Sequence, residues 1–87
     1  MNQRDDGPPD HKLEQHLAAT GLRLRAARRR ADLTQIELAA LSGVDRGNIS
    51  RAEHGGNISL ETLWRLAIAL NMHAADLLDD RLPGKAH

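Results

Sequence analysis

Only three residues, Gly43, Val44 and Asp45, separate two stretches that each carry helix start or stop signals, and this spacing constrains the fold more than any other feature of the chain. Upstream, Thr34 and Glu37 form a T-x-x-E capping box, in which a hydroxyl and a carboxylate satisfy two backbone N–H groups that a helix start leaves without partners. Ile36, Leu38, Ala39 and Leu41 follow, and Gly43 stands where a helix closes in the left-handed conformation that glycine adopts without a Cβ clash. The spacing predicts a helix over about 35–42. Asp45 caps a second helix over about 46–53, which the pair Gly55 and Gly56 ends. Two helices joined over so short a turn cross steeply, and small Ala39 near the crossing with apolar Val44 in the turn suits a helix-turn-helix unit. An ordinary helical hairpin shares these features.

The rest of the chain is read around this unit. At 87 residues it builds a single core, and with Trp64 as its one aromatic and no cysteine that core is aliphatic, helical and free of disulfides and thiolate metal sites. Residues 1–12 are polar, contain Gly7, Pro8 and Pro9, and read as a flexible arm; residues 81–87 read as a tail, leaving 13–80 as the folded domain. Leu13, Leu17, Leu24, Ala27 and Ala31 recur at helical spacing, with a firm helix over 20–31. Gly21 allows that helix to bend or to begin there, with 13–19 as a separate turn. Ser59 caps a fourth helix over 60–70 with Leu60, Leu63, Ala67 and Leu70 on one face and Asn71 closing it, and a fifth spans about 74–78. No segment is apolar for long enough to cross a bilayer, the start of the chain has no secretory h-region, and the expected location is the cytoplasm.

Net charge is zero, yet it is segregated. Residues 1–19 carry two basic and four acidic groups, residues 20–51 seven and three, and residues 52–87 three and five. All seven positive charges of the middle segment are arginine, whose planar fork matches phosphates and guanine edges. The five histidines, 11, 16, 54, 73 and 87, lack metal-like i, i+4 pairing, and Asp76, Asp79 and Asp80 lack the spacing of a calcium loop, so no metal and no cofactor is expected. Nothing pairs a nucleophile with a base, so no enzymatic activity is expected either.

From Thr20 to Leu78 the chain resembles the lambda-repressor-like helix-turn-helix domains of the XRE family of bacterial and phage regulators. The resemblance is carried by Gly21, Leu24 and Arg28, by LTQIELAALSGVDRGNISRAEHG, and by SLETLWRLAIAL with Leu77 and Leu78. Asp45, Arg46, Ile49, Ser50 and Glu53, with NISL at 57–60, look most like the controller proteins of restriction-modification systems. It implies an all-α, five-helix DNA-binding domain that binds a pseudo-palindromic operator in double-stranded DNA as a homodimer. Helical periodicity places Ile49, Ala52 and Glu53 of the third helix toward the first two, and Arg46, Gly47, Ser50, Arg51 and His54 outward. Arg46, Ser50 and Arg51 are the expected base readers; Asn48 lies at the edge, and Gly47 stands where the family often has a base-contacting side chain. Thr34, Gln35, Asn57, Arg25, Arg28 and His54 are the expected phosphate contacts, and the resemblance joins Arg28 to Glu53 as a structural pair. Arg23, Arg29 and Arg30 read either as a phosphate-facing flank or as a solvated surface.

Ala27 and Ala52 replace the larger aliphatics usual in the family, and Asp32 replaces a common glycine. Trp64 and Ile68, like Leu22 and Leu41, are apolar where the family is polar. Three readings follow for the first two: Trp64 fills volume given up by the alanines, Leu13 and Leu17 fold over it, or Trp64, Ile68, Met72, Leu78 and Leu82 form a dimer interface. An antitoxin-like or regulatory module binding another protein through Trp64, Ile68 and the last helix is the alternative function.

Overall fold

The computed structural model describes residues 9–78. Five helices make up the described residues: α1 (Pro9–Arg30), α2 (Gln35–Ser42), α3 (Arg46–Glu53), α4 (Leu60–Ala69) and α5 (Ala74–Leu78). Helix α1 packs against α3 and α5, α2 against α3 and α4, and α4 against α5. It begins at Pro9, so residues 9–12 are helical and the arm reading holds at most for residues 1–8, outside the described residues. Proline suits this start, because a first-turn N–H has no partner within the helix to lose. The helix also runs unbroken through Gly21, so it does not begin there and residues 13–19 are not a separate turn.

Local chemistry sets each helix end. At the start of α2 the Thr34 hydroxyl accepts from the Glu37 N–H at 3.0 Å while the Glu37 carboxylate accepts from the Thr34 N–H at 2.8 Å. Gly43 closes the helix at φ 75°, its N–H donating to the Ala39 carbonyl. Asp45 Oδ2 accepts from the Gly47 N–H at 2.9 Å, and the Ser59 hydroxyl accepts from the Thr62 N–H at 3.0 Å. Helix α4 ends at Ala69, with Leu70 as its cap and Asn71 left-handed at φ 58°.

The end of α1 is less well matched to its residue. Asp32 sits at φ 63°, where the Leu33 N–H reaches back to the Arg28 carbonyl, a closure that favours glycine. Its carboxylate also lies at the negative end of the α1 dipole. Asp32→Gly is therefore expected to stabilise the domain by about 0.5–1 kcal/mol, raising Tm by roughly 2–8 °C. A fall in Tm on thermal unfolding followed by circular dichroism would contradict this.

Leu38, Ile49, Leu66 and Leu77 are fully buried, each contributing about 1.5–3 kcal/mol, and Leu24, Ala27, Val44, Ala52, Leu63, Ala67 and Ala74 complete the core. The inward face of α4 differs from the expectation. Leu66 lies inside, whereas Leu60 is 68% exposed and joins Trp64 and Ile68 on a second stripe spaced i, i+4, i+8. Trp64 is 51% and Ile68 72% exposed, so Trp64 is not taken into the core to replace volume at Ala27 and Ala52, and Leu13 and Leu17 do not cover the pair. Met72 is half-buried against the core, and Leu78 is exposed. Leu82 lies outside the described residues.

Gly21 has a packing role that periodicity did not indicate. A Cβ built there would lie 2.4 Å from the Ala52 carbonyl oxygen and 2.9 Å from that of Glu53, so the backbones of α1 and α3 touch at a point where no side chain fits.

Candidate nucleic-acid interface

Helix α3 is gripped along one side and open along the other. Ile49, Ala52 and Glu53 are buried, fixing its rotation, and at 100° per residue this turns Gly47, Ser50, Arg51 and His54 outward, with Arg46 and Asn48 on the two flanks. Arg46, Arg51 and His54 are exposed, and Gly47, Asn48 and Ser50 partly so. The expected base-reading residues thus share one surface.

Beneath this surface lies the buried pair. Arg28 Nε donates to Glu53 Oε2 at 2.6 Å, Nη2 donates to Glu53 Oε1 at 2.9 Å, and Nη1 donates to the Leu33 carbonyl at 2.8 Å. With the guanidinium bonded through all three nitrogens and the residue buried, Arg28 ties α1 to α3 and to the Leu33 turn. The hydrogen bond to Glu53 raises the Arg28 pKa and outweighs desolvation, which lowers it. Burial pushes the Glu53 carboxyl upward, but the hydrogen bonds from Arg28 and Gln35, with the charges of Arg28 and Arg25, outweigh it and hold the group below the ordinary carboxylate range.

Gln35 connects this pair to the surface. Its Nε2 donates to Glu53 Oε1 at 3.1 Å, and because a carboxylate only accepts, the amide oxygen faces outward, where it accepts from Arg46 Nη1 at 3.3 Å. Sequence reasoning placed Gln35 against a phosphate and missed this link, for which the spacing of Gln35, Arg46 and Glu53 gives no signal. On the other flank, Arg51 Nη2 donates to Asn48 Oδ1. The His54 Nδ1 lies 2.8 Å from the Ser50 carbonyl oxygen; since that oxygen can only accept, Nδ1 carries the proton.

The helix 1 arginines divide. Arg23 Nη1 donates to the Leu77 carbonyl at 3.1 Å and so serves the α1–α5 contact. Arg25 is half-buried and acts on Glu53 through its charge, whereas Arg29 and Arg30 are exposed. Thr34 and Asn57 are exposed at the start of α2 and in the loop after α3. Among the described residues no three His, Cys, Asp or Glu side chains are placed to hold a metal ion, and no helix is long and apolar enough to cross a membrane.

A short helix held by its buried side, presenting two arginines, a serine and a histidine to solvent three residues after a preceding helix, defines a helix-turn-helix DNA-binding domain. The helix-turn-helix family model HTH_3 matches residues 24–77, and the chain belongs to that XRE-type family of DNA-binding transcriptional regulators. It is similar to the restriction-modification controller protein C.AhdI from Aeromonas hydrophila, at 40% identity and a TM-score of 0.68 over 70% of this chain and 94% of that one. It is also similar to the hypothetical transcription factor NHTF from Neisseria, at 29% identity and a TM-score of 0.68 over 90% of this chain and 87% of the other. No curated protein matches the chain.

Proposed function

We propose that the protein is a controller-type regulator that binds a pseudo-palindromic operator as a homodimer, each protomer placing α3 in a major groove about one helical turn from its mate. The observation that carries this reading is the outward face of α3, whose Arg46, Ser50 and Arg51 have no part in the core. Arg46, Arg51 and Ser50, flanked by Asn48 and Gly47, read bases. Thr34, Gln35, Asn57, Arg25 and His54 set the register on the phosphates, the Gln35 amide keeping its second N–H for this purpose. Similarity to a restriction-modification controller supports the regulatory role.

The exposed stripe of Leu60, Trp64 and Ile68 supports the homodimer. Trp64 stands midway between the other two, so an antiparallel two-fold crossing of α4 with its own copy would set Trp64 at the axis and Leu60 against Ile68 of the second protomer, burying all three at once.

Fluorescence anisotropy of labelled DNA from the region upstream of the protein's own gene tests this. Selective binding of two protomers per site is expected, weakening steeply as salt rises from about 50 to 200 mM. Trp64→Asp with Ile68→Asp is expected to keep the helical circular-dichroism spectrum of the wild type, while sedimentation shows a monomer, Tm falls by the share the dimer contributes, and operator affinity collapses. Absence of selective DNA binding, with a protein partner still bound through Trp64 and Ile68, would instead make the chain an interaction module.

A further inference from the structure

The two exposed arginines of α3 do not point the same way. Arg46 leans toward α2, where the Gln35 amide oxygen accepts from it at 3.3 Å; Arg51 leans to the opposite flank, where it donates to Asn48. Five residues separate them, which on an α-helix is ~7.5 Å along the axis and roughly 140° around it. Between them the outer surface carries Gly47, with no side chain, and Ser50, a short hydroxyl that accepts several bases.

A helix about 10–12 Å across fills a major groove about 12 Å wide, so its two flanks face different strands. Base pairs rise 3.4 Å, so ~7.5 Å along the groove spans about two steps. We infer that Arg46 and Arg51 read guanines on opposite strands of the operator half-site, about two base-pair steps apart, with little discrimination at the pair between them. This rests on the DNA-binding reading above and adds the specificity that the flank geometry selects. Each guanidinium has the two parallel N–H groups that O6 and N7 of guanine accept, and the contacts with Gln35 and Asn48 place the two side chains on different sides of α3.

Selection from a DNA library randomised across the half-site, with the wild type, Arg46→Ala and Arg51→Ala, tests it. The wild type is expected to enrich guanine at two positions on opposite strands. Arg46→Ala is expected to lose the preference at one position only and Arg51→Ala at the other, each by roughly 5- to 150-fold. Replacing guanine by 7-deazaguanine on one strand at a time gives a readout that needs no variant: each strand's replacement should weaken binding by the wild type, and the matching alanine variant should be indifferent to it. Loss of preference on the same strand in both variants would overturn the inference, as would a uniform loss of affinity with a shallower salt dependence, the mark of phosphate contacts. Enrichment of sites lacking the two guanines would overturn it while leaving the operator-binding function intact; enrichment of no sequence at all would overturn both.

Discussion

Replacing Glu53 with alanine is expected to cost the domain about 3–5 kcal/mol, because it leaves the Arg28 guanidinium buried without its counter-charge. Most of a small domain's stability lies within that range, so the variant should be largely unfolded near 37 °C. The cost comes from the stranded charge and not from the worth of the pair, so Arg28→Met with Glu53→Leu is expected to cost less than Glu53→Ala alone. The pH dependence has a definite sign. The folded Glu53 carboxyl titrates below its ordinary value of 4.5, so the stability it contributes is fully present above about pH 4.5 and is lost as pH falls through the lower folded value. Denaturant unfolding of the wild type and Glu53→Ala across pH 3–7 should show a difference that is constant above about pH 5 and narrows in acid. A loss below 1 kcal/mol at neutral pH would show that Arg28 is satisfied without Glu53. Glu53 also holds the Gln35 amide that receives Arg46, so damage to this buried pair should reach the reading surface.

Gly21→Ala is the second large effect, and its sign is opposite to that expected for an exposed helical glycine. In open space the change would stabilise α1 by about 1 kcal/mol through helix propensity. Here the new methyl meets the carbonyl oxygens of Ala52 and Glu53, which are backbone and cannot rotate aside. Forcing α1 and α3 apart costs about 3 kcal/mol, for a net loss of about 2 kcal/mol and a drop in Tm of roughly 8–16 °C. Gly21→Val should be worse. An unchanged or raised Tm in Gly21→Ala would mean that the two helices separate freely. Because α3 is displaced together with its arginines, the fraction that still folds should also bind DNA less tightly.

Capping and turn chemistry in this chain act over a few residues and were legible in the sequence. Thr34 with Glu37, Gly43, Asp45 and Ser59 satisfy backbone groups one to four positions away, so α2, α3 and the start of α4 follow from residue types alone. The outward set on α3 was legible for the same reason, since helical periodicity separates Ile49, Ala52 and Glu53 from Ser50 and Arg51 once the helix is placed. Arg28 with Glu53 was reached through the family resemblance, and the structure joins them through two hydrogen bonds, with a third from Arg28 to the Leu33 carbonyl.

Only the tertiary structure decided what depends on the approach of distant elements. On α4, the rows Leu60–Trp64–Ile68 and Leu63–Leu66–Ala67–Leu70 both have helical spacing, and the docking of α2 and α5 selects which is buried. Gly21 resembles a helix breaker until α3 is laid across it. The Gln35 amide is turned by a carboxylate eighteen residues away, which sends Arg46 to one flank of α3, while Arg51 bonds Asn48 within the helix on the other. Hydrogen bonds within a helical turn are written in the neighbouring residues; those between helices exist only once the core has fixed where each helix lies.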